Sequence, residues 1–167
     1  LRGKPALFGD KQGAYARRVD ELVTVFPGCR LVAADRDVWD ATASFMDLEW
    51  YRDRHSDMSG IELAQRTLEI CRAARRSLAE LRREHDIFVV DFQEMAVRPR
   101  EVLSALFAFL GLDPERYDYD SALAETGYSS SIGHWEHVPE VRRLREQSEG
   151  AASAASSEAP PSVRRSG

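Results

Sequence analysis

The sequence has few cysteines and no long apolar run. Cys29 and Cys71 fall within apolar patterns and lack metal-ligand spacing, so neither a disulfide framework nor a zinc site is indicated. No apolar stretch approaches the roughly 18 to 20 residues that cross a bilayer, and no secretory signal pattern is visible. We therefore expect reduced core cysteines, no metal, no membrane segment and a cytoplasmic location.

Excess positive charge is also lacking. The formal net charge is −5, which argues against a nucleic-acid partner because no global basic field would attract a phosphate backbone. Lysine is scarce, since Lys4 and Lys11 are the only lysines among the 23 basic residues. Arginines can still line a single cleft, so this charge is compatible with a small anionic ligand.

The hydrophobic pattern alternates between strands and helices. The continuous apolar runs 31–34 and 87–90 are typical of parallel strands covered on both faces, and 6–9 is a further strand candidate. Helical spacing marks four segments: 15–26, 38–48, 61–84 and 98–110. Strands that alternate with helices of this length predict an α/β fold with a parallel sheet.

The length of 167 residues suits one domain. We expect an α/β domain over 1–147 and a disordered tail over 148–167, where Ala, Ser, Glu and Pro show no periodicity. Residues 49–60 are predicted to be a loop or a frayed helix end. Because the chain begins with Leu1 rather than Met, we expect it to be part of a longer polypeptide.

The residues after the strand 31–34 carry the strongest indication of chemistry. Arg36 lies at the predicted carboxyl end of that strand, where open α/β sheets bind ligands. Ser44, two helical turns further on, is within reach of the same anion. The arginine fork would give two parallel hydrogen bonds to a phosphate, the serine hydroxyl would add a neutral donor, and the amides of the helix start would add partial positive charge. The alternative is an ion pair of Arg36 with Asp35 or Asp37.

A strand, Arg-Asp, a helix and Ser at this spacing, preceded by Phe-Pro-Gly-Cys-Arg at 26–30, resemble a known element. It is the 3′-phosphate-binding element of sulfotransferases that use 3′-phosphoadenosine-5′-phosphosulfate (PAPS). The similarity covers roughly residues 5 to 140 and is greatest to the bacterial and tyrosylprotein-type branch. It implies that Arg36 and Ser44 bind the 3′-phosphate. Val38 replaces the proline usual in this motif.

Three further segments are similar to family motifs. Residues 9–15 resemble a turn whose lysine lies near the sulfuryl group, which implies a catalytic role for Lys11; a solvated turn lysine is the alternative. Phe92 stands where an aromatic ring borders the adenine, although core packing would also explain it. His134 lies in a segment, Ser-Ile-Gly-His-Trp, that resembles a loop folding over the nucleotide, at the place of an arginine near a phosphate.

One family element has no counterpart in this sequence. It is the 5′-phosphosulfate loop, a Pro-Lys/Arg-Ser-Gly-Thr-Thr turn between a strand and a helix, which we expect to precede Leu1. The resemblance therefore implies a P-loop NTPase-like three-layer α/β fold without its N-terminal strand and P-loop. The sheet would then have an exposed edge.

The resemblance implies metal-free transfer of a sulfuryl group from PAPS to a hydroxyl or amine of a small-molecule, glycan or peptide acceptor. The alternative is a truncated, non-catalytic homologue that acts as a nucleotide- or protein-binding module. A P-loop kinase fits poorly, because the sequence has neither a Gly-Lys-Ser/Thr loop nor carboxylates spaced for magnesium. The acceptor is not specified by the sequence.

Overall fold

A parallel two-stranded sheet and eight α-helices form most of the part of the chain that the computed structural model describes, namely residues 9–11, 13–124 and 132–157. The strands are β1 (Leu31–Asp35) and β2 (Ile87–Asp91). The helices are α1 (Val19–Val25), α2 (Val38–Met46), α3 (Glu49–Arg54), α4 (Gly60–Glu84), α5 (Phe92–Val97), α6 (Pro99–Leu110), α7 (Tyr119–Ala124) and α8 (Pro139–Ser157). Short 3₁₀ turns occupy Gly13–Arg17, Pro114–Arg116 and His134–His137.

The two strands end at the same edge of the sheet. Leu31 pairs with Ile87, and the register continues to Asp35 beside Asp91. Both predicted strands are confirmed, whereas most of the candidate at 6–9 lies outside the described residues. The expected cover on both faces was wrong for the described sheet: its residues are at most half-buried, and Val32 is 45% exposed. The reason is that most helix packing occurs away from the strands.

The apolar core lies between helices. It is a cluster of buried side chains from α2, α3, α4, α8 and the residue just before α8. The members are Ala43, Met46, Tyr51, Leu63, Ala64, Val138, Val141 and Leu144. Residues 148–157 belong to α8, which differs from the disordered tail expected from 148 onward. Alanine, abundant there, is the best helix former, and it extends a helix that is already anchored in the core. The boundary at 147 stays a prediction, and 158–167 lie outside the described residues.

Local signals explain where the helices begin and end. Ser59 and Glu62 form a reciprocal capping box that starts α4. Pro99 occupies the first turn of α6, and Gly111 ends it at φ +72°, a conformation that glycine adopts without strain. Residues 49–54 are helical rather than a loop, because Tyr51 is buried and its hydroxyl contacts Thr67 Oγ1 at 3.1 Å.

The cysteines differ in environment. Both are free thiols, but Cys71 on α4 is buried and Cys29 before β1 is exposed. The expectation of a reduced core residue is therefore correct for Cys71 and wrong for Cys29. The turn that places Cys29 on the surface follows α1 and leaves Phe26 60% exposed as well.

Candidate functional site

Arg36 and Phe92 lie side by side at the carboxyl edge of the sheet. Each is the residue directly after a strand, and Asp35 and Asp91 before them are paired in register. The Arg36 guanidinium carbon stands 5.1 Å from the centre of the Phe92 ring, a cation–π contact between two half-buried side chains. The sheet register thus joins two residues that lie far apart in the sequence. An arginine held against an aromatic face at a strand end suits an anionic ligand with a flat ring.

The aspartates that flank Arg36 have contacts of their own. The Asp35 carboxylate lies 3.4 Å from Arg75 Nε of α4. The Asp37 carboxylate caps α2, because Oδ1 accepts from the backbone N–H of Trp39 at 2.9 Å and of Asp40 at 3.2 Å. The amides at the start of α2, expected to face an anion, therefore donate to Asp37. This expectation was wrong, since a carboxylate of the chain itself neutralises that helix end.

Ser44 occupies the face of α2 that meets residues 132–137. Asp40, Ser44 and Asp47 share this face, because they are spaced four and three residues apart. Asp40 is 3% exposed, and its two carboxylate oxygens accept from Gly133 N at 3.1 Å and Trp135 N at 3.2 Å. The half-buried Ser44 therefore lies between two carboxylates whose partners come from the C-terminal part of the chain.

His134 meets α2 at the other end of this face. Its Nε2 contacts the Asp47 carboxylate, which is about half exposed. Gly133 before it has φ +74°, so this turn uses a backbone conformation that favours glycine. Trp135 after it lies under the guanidinium of Arg145, 4.0 Å from the ring. Residues 129–131 of the predicted loop lie outside the described residues.

Lys11 is exposed on the turn that precedes the first 3₁₀ segment. Hydrogen bonds within the turn shape it: Asp10 accepts from the backbone N–H of Lys11 at 2.8 Å and from the Tyr15 hydroxyl. The bond to the carboxylate raises the pKa of Tyr15 above its usual value. Asp10 thus contacts both Lys11 and Tyr15, and a role for Lys11 stays a prediction.

Two features were missed from the sequence. In the sequence, Asp40 is an acidic residue in the first turn of a helix, which is a common position for one. Its burial and its distant partners have no local sequence signal. An aromatic cluster lies around the end of α2: the ring centres of Phe45, Trp50 and His55 are 5.0 to 5.7 Å from that of Tyr51. Trp50 is 56% exposed, and it falls in the segment 49–60 that was expected to be a loop or a frayed helix end.

Two negative findings apply to residues 9–11, 13–124 and 132–157. No group of three or more His, Cys, Asp or Glu side chains there could hold a metal ion. In the same residues, no helix combines the length and the apolar character needed to cross a bilayer.

A parallel sheet with an arginine and an aromatic ring at its carboxyl edge is typical of α/β proteins that bind a ligand where their strands end. Comparison with known families gives the identity of this class: the sequence profile described as "Sulfotransferase family" matches residues 2–116. The chain belongs to the sulfotransferase family. No curated protein and no solved structure matches it. The assignment to a branch, the P-loop-like details and the lack of an N-terminal loop stay predictions.

Proposed function

We propose that this domain transfers a sulfuryl group from PAPS to a hydroxyl or amine acceptor. The observation that carries the proposal is the pairing of Arg36 with Phe92 at the strand end of a sulfotransferase-family chain. A guanidinium beside an aromatic ring offers both a phosphate partner and a surface for a purine.

The described residues fit the nucleotide half of this reaction. Arg36 and Ser44 would bind the 3′-phosphate, and Phe92 would border the adenine. His134 would add a contact to a phosphate, weaker than arginine and dependent on its protonation. The capped start of α2 does not take part, because its amides donate to Asp37. The anion would therefore be held by side chains rather than by the end of this helix.

The reaction itself requires little beyond alignment and charge. The acceptor oxygen or nitrogen would bond to sulfur while the bond between sulfur and the bridging oxygen of PAPS breaks. Adenosine 3′,5′-bisphosphate would leave with the electron pair of that bond, and the acceptor proton would pass to solvent. Positive charge near the bridging oxygen would stabilise the charge that develops there. Lys11 is our candidate for that positive charge. The exposed aromatic residues near the end of α2, with Trp50 foremost, are where a small-molecule, glycan or peptide acceptor would bind. The two free cysteines support a cytoplasmic setting.

Thermal unfolding with adenosine 3′,5′-bisphosphate tests the nucleotide site. At a ligand concentration of a hundred times Kd, binding stabilises the folded state by about 2.7 kcal/mol, so Tm should rise by several degrees. Arg36→Ala should remove most of this rise. Arg36→Lys should retain a minor part, because an ammonium cannot form the two parallel bonds of the fork.

Arg30→Ala is the matched control. Arg30 also flanks β1 and also lies over an aromatic ring, 5.3 Å from the centre of Phe109, but it precedes the strand instead of following it. The variant Arg30→Ala should therefore leave the ligand-induced rise in Tm unchanged. An equal loss in both variants, or an unchanged shift in Arg36→Ala, would contradict the assignment of Arg36.

A transfer assay separates the enzyme from the binding module. The protein is incubated with PAPS and a panel of hydroxyl and amine acceptors, and the bisphosphate product is measured. Turnover that falls with Lys11→Ala supports sulfuryl transfer. Tight bisphosphate binding without turnover on any acceptor would favour the truncated, non-catalytic homologue that binds nucleotide, since the sequence has no counterpart of the 5′-phosphosulfate loop.

A further inference from the structure

The carboxylate of Asp40 connects two parts of the chain that are distant in sequence. It is almost fully buried, and each of its oxygens accepts one backbone N–H of the 132–137 segment. A buried carboxylate is costly unless it is hydrogen-bonded, and bonds to a charged acceptor are stronger than neutral ones. The arrangement therefore holds Gly133 and Trp135 firmly against α2.

We propose that Asp40 is a positioning residue: it fixes the backbone around His134 against the face of α2 that carries Ser44, and it thereby sets the affinity of the anion site without touching the anion. The two donors are the residues directly before and after His134, so the bonds hold that residue from both sides. Asp40 and Ser44 lie on one face of α2, four residues apart. The inference rests on the proposed function for its effect on affinity.

The other contacts of the segment show why Asp40 would act locally. Trp135 packs under Arg145, and Val138, Val141 and Leu144 are buried in the helical core. These apolar contacts would keep α8 in place when the carboxylate is removed. Only the turn that contains Gly133 would lose its backbone hydrogen bonds to α2.

Hydrogen exchange measures the attachment directly. Asp40→Asn keeps one oxygen acceptor but places an N–H₂ group, which cannot accept, opposite the second amide. We expect amide exchange at Gly133 or Trp135 to accelerate at least about tenfold, while the protected amides of α4 keep their rates. Unchanged exchange at both residues, or an equal acceleration throughout the protein, would overturn the proposal.

Two variants serve as controls. Thr42→Val alters another buried polar residue of α2, whose hydroxyl donates to Val38 O at 2.6 Å, and should leave the 133–135 amides protected. Asp47→Asn weakens the contact with His134 but keeps both bonds to Asp40. Should Asp40→Asn fail to fold, exchange in the wild-type protein still tests the proposal. Exchange of both the Gly133 and the Trp135 amides at the rate of an unstructured chain would overturn it.

Calorimetry with adenosine 3′,5′-bisphosphate measures the consequence for binding. Asp40→Asn should raise Kd about tenfold and Thr42→Val should leave it unchanged. In the background of Ser44→Ala, Asp40→Asn should raise Kd by a smaller factor than it does in the wild-type background, because the two residues serve one subsite. Lost protection with an unchanged Kd would overturn the link to affinity. If the wild-type protein does not bind, the proposed function fails, whereas the exchange rates still decide whether Asp40 anchors the segment.

Discussion

The helical half of the molecule (α2, α3, α4 and α8) and the sheet half (α1, β1, β2, α5 and α6) are packed very differently. The core cluster lies in the helical half, where Ala43, Ala64 and Val141 are fully buried. In the sheet half, the described apolar residues that are buried are Val19, 8% exposed, and Met95, 5% exposed, and neither lies in a strand. A continuous apolar run thus identifies a strand, but the elements packed on it decide how much of it is covered.

The candidate site extends across both halves. Arg36 and Phe92 belong to the edge of the sheet, whereas Ser44 and His134 lie where α2 meets the C-terminal segment. One helix, α2, therefore links a loosely covered part of the site to a well-packed part. Experiments that compare the two halves test whether they differ in packing.

The largest contrast should be in thiol reactivity. Cys29 is exposed in the sheet half and Cys71 is buried in the helical half. With a small disulfide reagent followed by absorbance, Cys71 should react at least about a thousandfold more slowly, because it must wait for an opening that costs several kcal/mol. The variant Cys29→Ala isolates the slow phase. Similar rates for the two thiols would show that the helical half opens as easily as the sheet.

Burial also raises the pKa of the Cys71 thiol. A folded-state pKa above the unfolded value of about 8.5 means that this residue contributes stability below that pH, and the contribution is lost as pH rises through the folded pKa. Urea midpoints should therefore fall between pH 8 and pH 10. The fall should be smaller in Cys71→Ala, and an identical profile would contradict a thiol that stays protonated in the folded state.

Side-chain truncations should give the next largest contrast between the halves, in the free energy of unfolding. Leu63→Ala removes a side chain that is 3% exposed in the helical core and should cost about 2 to 5 kcal/mol in urea unfolding. Ile70→Ala, on the same helix but 47% exposed, and Val32→Ala in the sheet should each cost about 1 kcal/mol or less. A cost at Val32 equal to that at Leu63 would mean that the sheet is as well covered as the helices.

The capping box of α4 should give the smallest effect. Ser59→Ala removes the acceptor for Glu62 N and should cost about 1 kcal/mol at pH 7. Hydrogen bonds from Ser59 lower the pKa of Glu62, so this stabilisation is present above the unfolded pKa of about 4.3 and is lost as pH falls through the folded pKa. The difference between wild type and variant should therefore shrink below about pH 4. A constant difference at pH 7 and pH 3 would exclude the carboxylate from the cap.

The sequence predicted the elements with strong local patterns. The strands at 31 and 87, α2, α4 and α6 with its end at Gly111 followed from apolar periodicity and end signals. The segment that forms helix α3 was predicted to be a loop or a frayed helix end. The burial of Tyr51 against Thr67 orders this helix, and such a tertiary contact has no local sequence signal. Helix α8 was missed although Val138, Val141 and Leu144 follow a helical spacing, since the alanine- and serine-rich composition after them suggested a tail.

The candidate site was predictable only in part. Arg36 and Phe92 were each chosen for their place after a strand, and the sheet register brings them together. The buried role of Asp40 could not be predicted, because its partners lie more than ninety positions away in the chain. The role of the α2 amides was predicted wrongly, because they donate to Asp37. The sequence spacing allows Asp37 either to face a ligand or to cap its own helix, and it does not decide between these two arrangements.

The pairing of β1 with β2 has a consequence for the order of folding. Leu31 and Ile87 are neighbours in the sheet, yet all of α2, α3 and α4 lies between them in the chain. Closing so long a loop costs entropy, whereas α2 and α4 can associate through a much shorter connection. We therefore expect the α2–α4 contact to form first during refolding, and pulsed exchange should protect α4 amides before those of β1. Since Arg36 and Phe92 meet only when the strands pair, this part of the anion site would be among the last to assemble.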